Sequence, residues 1–82
     1  MTDAEVREVF ASRLVSWMND NGVSQYRLSK KMGVPWQTVH SWKVGRSMPG
    51  FCRIRELAMV TGEPADWWLG LDWEVDGGRD GR

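Results

Sequence analysis

The sequence predicts an all-α fold, a single compact domain of five helices. Two observations carry that prediction. Apolar residues recur every three or four positions in separate segments, and each segment is closed by a glycine. There are no internal repeats, and apart from "LDWEV" near the C-terminus no segment has the period-two alternation of a half-buried strand. Length sets the scale. A chain of 82 residues makes one domain and buries only about 60% of its unfolded surface, so large aromatics, six tryptophans among them, matter disproportionately.

The elements follow in order. Thr2 with Glu5 three residues later has the form of a capping box, and Val6, Phe10, Leu14 and Trp17 make the apolar stripe of a first helix. Asn21-Gly22 stops it, since both residues tolerate positive φ. Ser24 is a good N-cap for a second helix, with Leu28 and Met32 one turn apart on its inner side and Gly33 at its end. After Val34-Pro35 a third helix directs Val39 and Trp42 inward, while Trp36, Gln37, His40, Ser41 and Val44 share one outer face, and Gly45 closes it. "RSMPG" is a loop. Phe51, Ile54, Leu57, Ala58 and Thr61 form the stripe of a fourth helix ended by Gly62. Pro64 suits the start of a short fifth helix, "ADWWLG", closed by Gly70. Residues 1–70 are thus the helical domain. Residues 71–82 are an acidic tail rich in Gly and Asp, disordered or dimer-forming, in which "LDWEV" becomes a strand if a partner supplies the other half of the pairing.

Formal net charge is zero, but the charges are segregated. Residues 23–55 carry Arg27, Lys30, Lys31, Lys43, Arg46, Arg53 and Arg55 with no acid, whereas the segments on either side are net acidic. A basic middle between acidic ends is what an anion-binding face needs. The chemistry of enzymes finds little support. His40 is the only histidine and Cys52 the only cysteine, so neither a His-based metal cluster nor an internal disulfide is expected, and Cys52 alone is neither a zinc site nor a convincing nucleophile. Cys52 reads as a buried or half-buried small residue. No catalytic triad, paired-carboxylate pocket or phosphate loop is identifiable, and no cofactor is implied. No apolar run nears the roughly 20 residues of a membrane span, and "MTDAEVREVF" is unlike a signal peptide, so the expected location is cytoplasmic.

Helix, tight turn and second helix with a basic face is the arrangement that places one helix in the major groove of DNA. The residues go further. "SQYRLSKKMGVPWQTVHSWKVG" resembles the helix-turn-helix of the Cro and phage-repressor family, and "F..I..LA..TG..ADWWLG" resembles that family's fourth and fifth helices. The resemblance covers roughly residues 6–70. It implies a lambda-repressor-like, five-helix domain with the helix-turn-helix at helices 2 and 3. Gly33 then makes the sharp turn, Ser29 is small so that the helices cross closely, and Val39 and Trp42 anchor the recognition helix.

The same resemblance implies roles on the DNA. Trp36, Gln37 and Ser41 fall where the family touches base edges, with Thr38 and His40 beside them. Gln37 can pair with adenine N6 and N7, and Trp36 can meet a thymine methyl or the sugar-phosphate wall. Gln25 matches a position that clamps a phosphate at a helix N-terminus. Lys43, Arg46 and Ser47 are phosphate contacts, joined by Arg27 and Lys31, with Lys30 at the margin. Three positions depart from the family. Lys43 stands where a buried glutamate is common, opposite Met18, leaving this lysine free to face DNA. Arg27 replaces the acid of the second helix's capping box, and Pro35 replaces the usual Ser or Thr cap of the recognition helix.

The implied function is a sequence-specific transcriptional regulator of phage-repressor type that binds double-stranded DNA as a homodimer. Its half-sites would lie about one helical turn, roughly 34 Å, apart. Val60, Pro64, Trp68 and Trp73 are the candidate dimer surface, with core packing the competing role for Trp67 and Trp68. Two other classes compete. One is a protein-interaction module, such as an antitoxin, docking through the tail or through Trp36. The other is an architectural or excision factor that bends DNA.

Overall fold

The fold is built from five helices whose ends are set by local chemistry. The computed structural model describes residues 2–71. Helix α1 spans Asp3–Asn21, α2 Gln25–Met32, α3 Trp36–Lys43, α4 Phe51–Thr61 and α5 Ala65–Leu69, with no strand among the described residues. At the start of α1 the Glu5 N–H donates to Thr2 Oγ1 at 3.2 Å and the Thr2 N–H to Glu5 Oε1 at 2.7 Å, the reciprocal capping box read from the sequence. Ser24 caps α2 by accepting from the Arg27 N–H at 3.1 Å. Pro35 precedes α3 without a side-chain cap. Its fixed φ of −64° already suits helix entry.

The glycines on either side of α3 define its setting. Gly33 has φ 69° and donates to the Lys30 carbonyl at 3.3 Å, while Val34 N–H reaches back to Ser29 at 3.1 Å. This pair of bonds is a Schellman ending, and it turns the chain from α2 into α3 within three residues. The same pattern recurs where Gly45 (φ 76°) donates to Trp42 and Arg46 N–H to Ser41, ending the α3 turn. Ser29 is buried, and its hydroxyl donates to the Tyr26 carbonyl at 2.7 Å, so a small side chain satisfies itself beneath the next helix.

Helix α3 packs on α1 and α2, while α5 packs on α1 and α4. Phe10, Leu14 and Met18 of α1, Leu28 and Met32 of α2, Val39 and Trp42 of α3, Ile54 and Leu57 of α4 and Trp68 of α5 share one core. Phe10 sits at its centre. Its ring meets Trp42 edge-on at 6.3 Å and Trp68 at 5.7 Å, and Trp68 in turn contacts Trp17 and Trp67. Such aromatic pairs add about 0.5–1.5 kcal/mol each beyond their area burial.

Four expectations need correction or fall elsewhere. Trp68 is 0% exposed, so it fills the core and offers no dimer surface. Its short helix packs on α1 and α4, which sets the indole against the rings of Phe10, Trp17 and Trp67. Phe51 was expected on the inner stripe of α4 but is 94% exposed. It is the first residue of that helix, and side chains lean toward a helix's N-terminus, so its ring projects past the edge of the core. Cys52 is exposed rather than buried, lying about 200° around the helix from buried Ile54. Trp73 lies outside the described residues, as do all of residues 72–82.

Candidate nucleic-acid interface

The candidate site is the outer face of α3, and it is held in place from behind. Val39 and Trp42 are buried on the inner side, fixed between Phe10 of α1 and the residues of α2. At about 100° per residue, the opposite side presents two parallel ridges. One runs Trp36, His40, Val44 and the other Gln37, Ser41. Trp36 and Val44 are each 52% exposed, and Gln37 and His40 are exposed. Ser41 is half-buried at the foot of its ridge, and Thr38 is half-buried on the shoulder toward the core. Gln37 has no side-chain hydrogen bond among the described residues, so its whole amide faces outward.

Two ties fix the helix laterally. Gln25 Nε2 donates to the Trp36 carbonyl at 3.2 Å, and Lys43 Nζ donates to Gln25 Oε1 at 3.2 Å. One glutamine at the head of α2 thereby holds both ends of α3. Lys43 is consequently half-buried and engaged, not free to face outward as expected. The Gln25 amide nitrogen retains a second N–H for an outside acceptor.

Arg27, Lys31 and Arg46 are exposed with no ion pair among the described residues, and Ser47 is half-buried beside Arg46. Lys30 lies over the Tyr26 ring at 5.4 Å, which steadies it on the flank of α2. Arg53 belongs to the framework. Its guanidinium donates to the Met32 carbonyl at 3.3 Å and to Glu56 at 2.6 Å, bracing α4 against the end of α2.

One contributor escaped the sequence reading. Arg7, in the acidic N-terminal segment, sends Nε to the Gly45 carbonyl at 3.2 Å and shares a groove with Arg46, Ser47, Met48, Val6 and Asp3. No local signal reveals a contact between residues so far apart in the chain. Of the proposed dimer residues, Val60 is half-buried against the core and Pro64 is exposed. An apolar groove lies elsewhere, lined by Pro49, Gly50, Phe51, Ile54 and Leu69.

Among the described residues no group of three or more His, Cys, Asp or Glu is placed to hold a metal ion, and no helix is long and apolar enough to cross a membrane. Compared with protein-family models, curated proteins and solved structures, the chain matches none of them.

Proposed function

We propose that this chain is a sequence-specific DNA-binding regulator of Cro and phage-repressor type. In this reading α2 and α3 act as a helix-turn-helix, with α3 in the major groove of double-stranded DNA. The observation that carries it is the outer face of α3, where Gln37 holds an unengaged amide on a helix anchored by buried Val39 and Trp42. A base-reading side chain needs both properties, free hydrogen-bonding groups and a rigid mount. The charge supports it further, since no acid occurs between Asp20 and Glu56. Arg27, Lys31, Arg46 and the second N–H of Gln25 are then the phosphate contacts. Lys43 acts chiefly by holding Gln25.

A homodimer is part of the proposal, because one recognition helix on one half-site binds weakly. Its surface moves from Trp68 to the groove around Phe51 and Leu69, with Pro64 still available. We assign no catalytic role.

The test is selection of bound duplexes from a random library, followed by affinity of the winner at several salt concentrations. The expected result is a near-palindrome whose binding falls about 10³-fold or more between 50 and 200 mM salt and is lost in Gln37→Ala. Absence of any enriched sequence, with only weak salt-driven binding, overturns it.

One observation favours a second reading. Trp36 and Val44 are apolar and half-exposed on the same face, as a protein-docking helix would present them. An interface centred on them would respond far less to salt.

A further inference from the structure

None of the residues assigned to DNA lines the groove on α4 and α5. Pro49, Gly50, Phe51, Ile54 and Leu69 enclose about 300 Å³ there, with no charged side chain in the lining. Phe51 at its edge is 94% exposed. We propose that the chain's own C-terminal segment docks in this groove, with Trp73 as the anchor. Docking is independent of DNA binding; its effect on dimer formation rests on the dimer surface assigned above.

The point where the chain leaves the helices sets the reach. The Gly70 N–H (φ 76°) donates to the Trp67 carbonyl at 3.2 Å and the Leu71 N–H to the Asp66 carbonyl at 2.8 Å, so hydrogen bonds hold the path out of α5. Residues 72–82 lie beyond the described residues, and Trp73 follows the groove residue Leu69 by four positions. Four extended residues cover about 13 Å, enough to return an indole to a groove that Leu69 itself lines. The size also fits. A cavity of about 150 Å³ already holds benzene, and this groove encloses about 300 Å³.

Charge and pattern select this groove and this occupant. Residues 72–76, "DWEVD", alternate acids with Trp73 and Val75. In an extended chain the two apolar side chains share one side, and Asp72, Glu74 and Asp76 the other. Arg55 stands one turn along α4 from Phe51, exposed and with no ion pair among the described residues, where it can meet that acidic edge. The groove on α1 beside Gly70 suits the segment less. Glu5 and Glu8 line it together with Val9, and its Arg13 already donates to the Trp67 carbonyl at 2.8 Å. The tether decides between this tail and that of a second copy. A link of a few residues holds Trp73 at an effective concentration of about millimolar, far above that of a second copy in micromolar protein.

The experiment is nuclear Overhauser spectroscopy on the full wild-type chain, isotope-labelled so that each ring is assigned. The expected result is cross-peaks from the Trp73 indole to the Phe51 ring and the Leu69 methyls, retained on dilution. They should be lost in Phe51→Asp. A mixture of labelled and unlabelled chains separates the occupants. Cross-peaks between chains in that mixture place a second copy's tail in the groove and overturn docking within the chain. Absence of any cross-peak from Trp73 to the groove overturns it too. These spectra need no variant to fold and no DNA, so a failed duplex selection leaves them standing.

Docking also has a consequence for assembly, since the tail and a second copy compete for one groove. If about nine chains in ten are docked, Trp73→Ala should dimerise roughly a hundredfold more tightly, because both copies must be open. Sedimentation equilibrium reads that shift. A weaker dimer in Trp73→Ala would mean that the tail joins copies, which overturns docking within the chain. An unchanged dimer with the cross-peaks present keeps the docking and removes the groove as the dimer surface.

Discussion

The side-chain amide of Gln25 donates to the main-chain carbonyl of Trp36 at 3.2 Å, so the first residue of α2 grips the first residue of α3. The same amide accepts from Lys43 at the far end of α3. Both atoms of one exposed-edge side chain are used to orient the helix that carries the candidate site. Gln25→Ala should therefore lower stability only modestly, by about 0.5–1.5 kcal/mol in urea denaturation. If the chain binds DNA as proposed, duplex affinity should fall by a larger factor, because α3 loses its lateral restraint and a phosphate loses the second N–H of Gln25. Equal losses in stability and affinity would show that the ties position nothing.

Two glycines with nearly the same φ should respond differently to alanine. At Gly33 (φ 69°) an added Cβ meets nothing within 4 Å, so Gly33→Ala meets only the left-handed backbone penalty, about 1–2 kcal/mol. At Gly70 (φ 76°) the Cβ would stand 2.8 Å from Val9 Cγ1, adding a clash between α5 and α1. Thermal melts should rank Gly70→Ala below Gly33→Ala. The reverse order would mean that α5 does not close on α1 as described.

Phe10 joins the rings of Trp42 and Trp68, and through them α3 and α5. Phe10→Ala should cost about 3–5 kcal/mol, most of the stability of a domain this small. Circular dichroism should show a largely unfolded chain at 37 °C, whereas Phe10→Leu should remain folded with reduced stability.

Phe51 is the most exposed large apolar residue among those described, and it borders the groove with Leu69 and Pro49. Phe51→Asp should leave the fold intact, since the ring packs on little of the core. Sedimentation should shift toward monomer if this groove joins two copies. An unchanged sedimentation coefficient would exclude it as the dimer surface.

Much of the fold was legible because its signals are local. The capping box of Thr2 and Glu5, the Ser24 cap and the turn at Gly33 are settled by residues within a few positions of one another. Trp42 read as core and Trp36 as outward because Val39 and Trp42 mark the inner side of a helix at fixed angular spacing. The candidate face on α3 follows from that same periodicity. Val44 was visible on it too, though nothing in the chain alone said how exposed it would be.

What the sequence by itself determined is where the helices begin and end and which side of each faces inward, because hydrogen-bonded caps and a 3.6-residue repeat are short-range properties. Only the tertiary structure decided that Trp68 lies at the centre and Phe51 outside, since that depends on where one helix runs past the end of another. It also decided that Lys43 is spent on Gln25, and that Arg7 reaches the end of α3 from the opposite side of the chain's charge pattern. Those contacts join residues 18 and 38 positions apart. Their partners are brought together by the packing of whole helices, which no local spacing encodes.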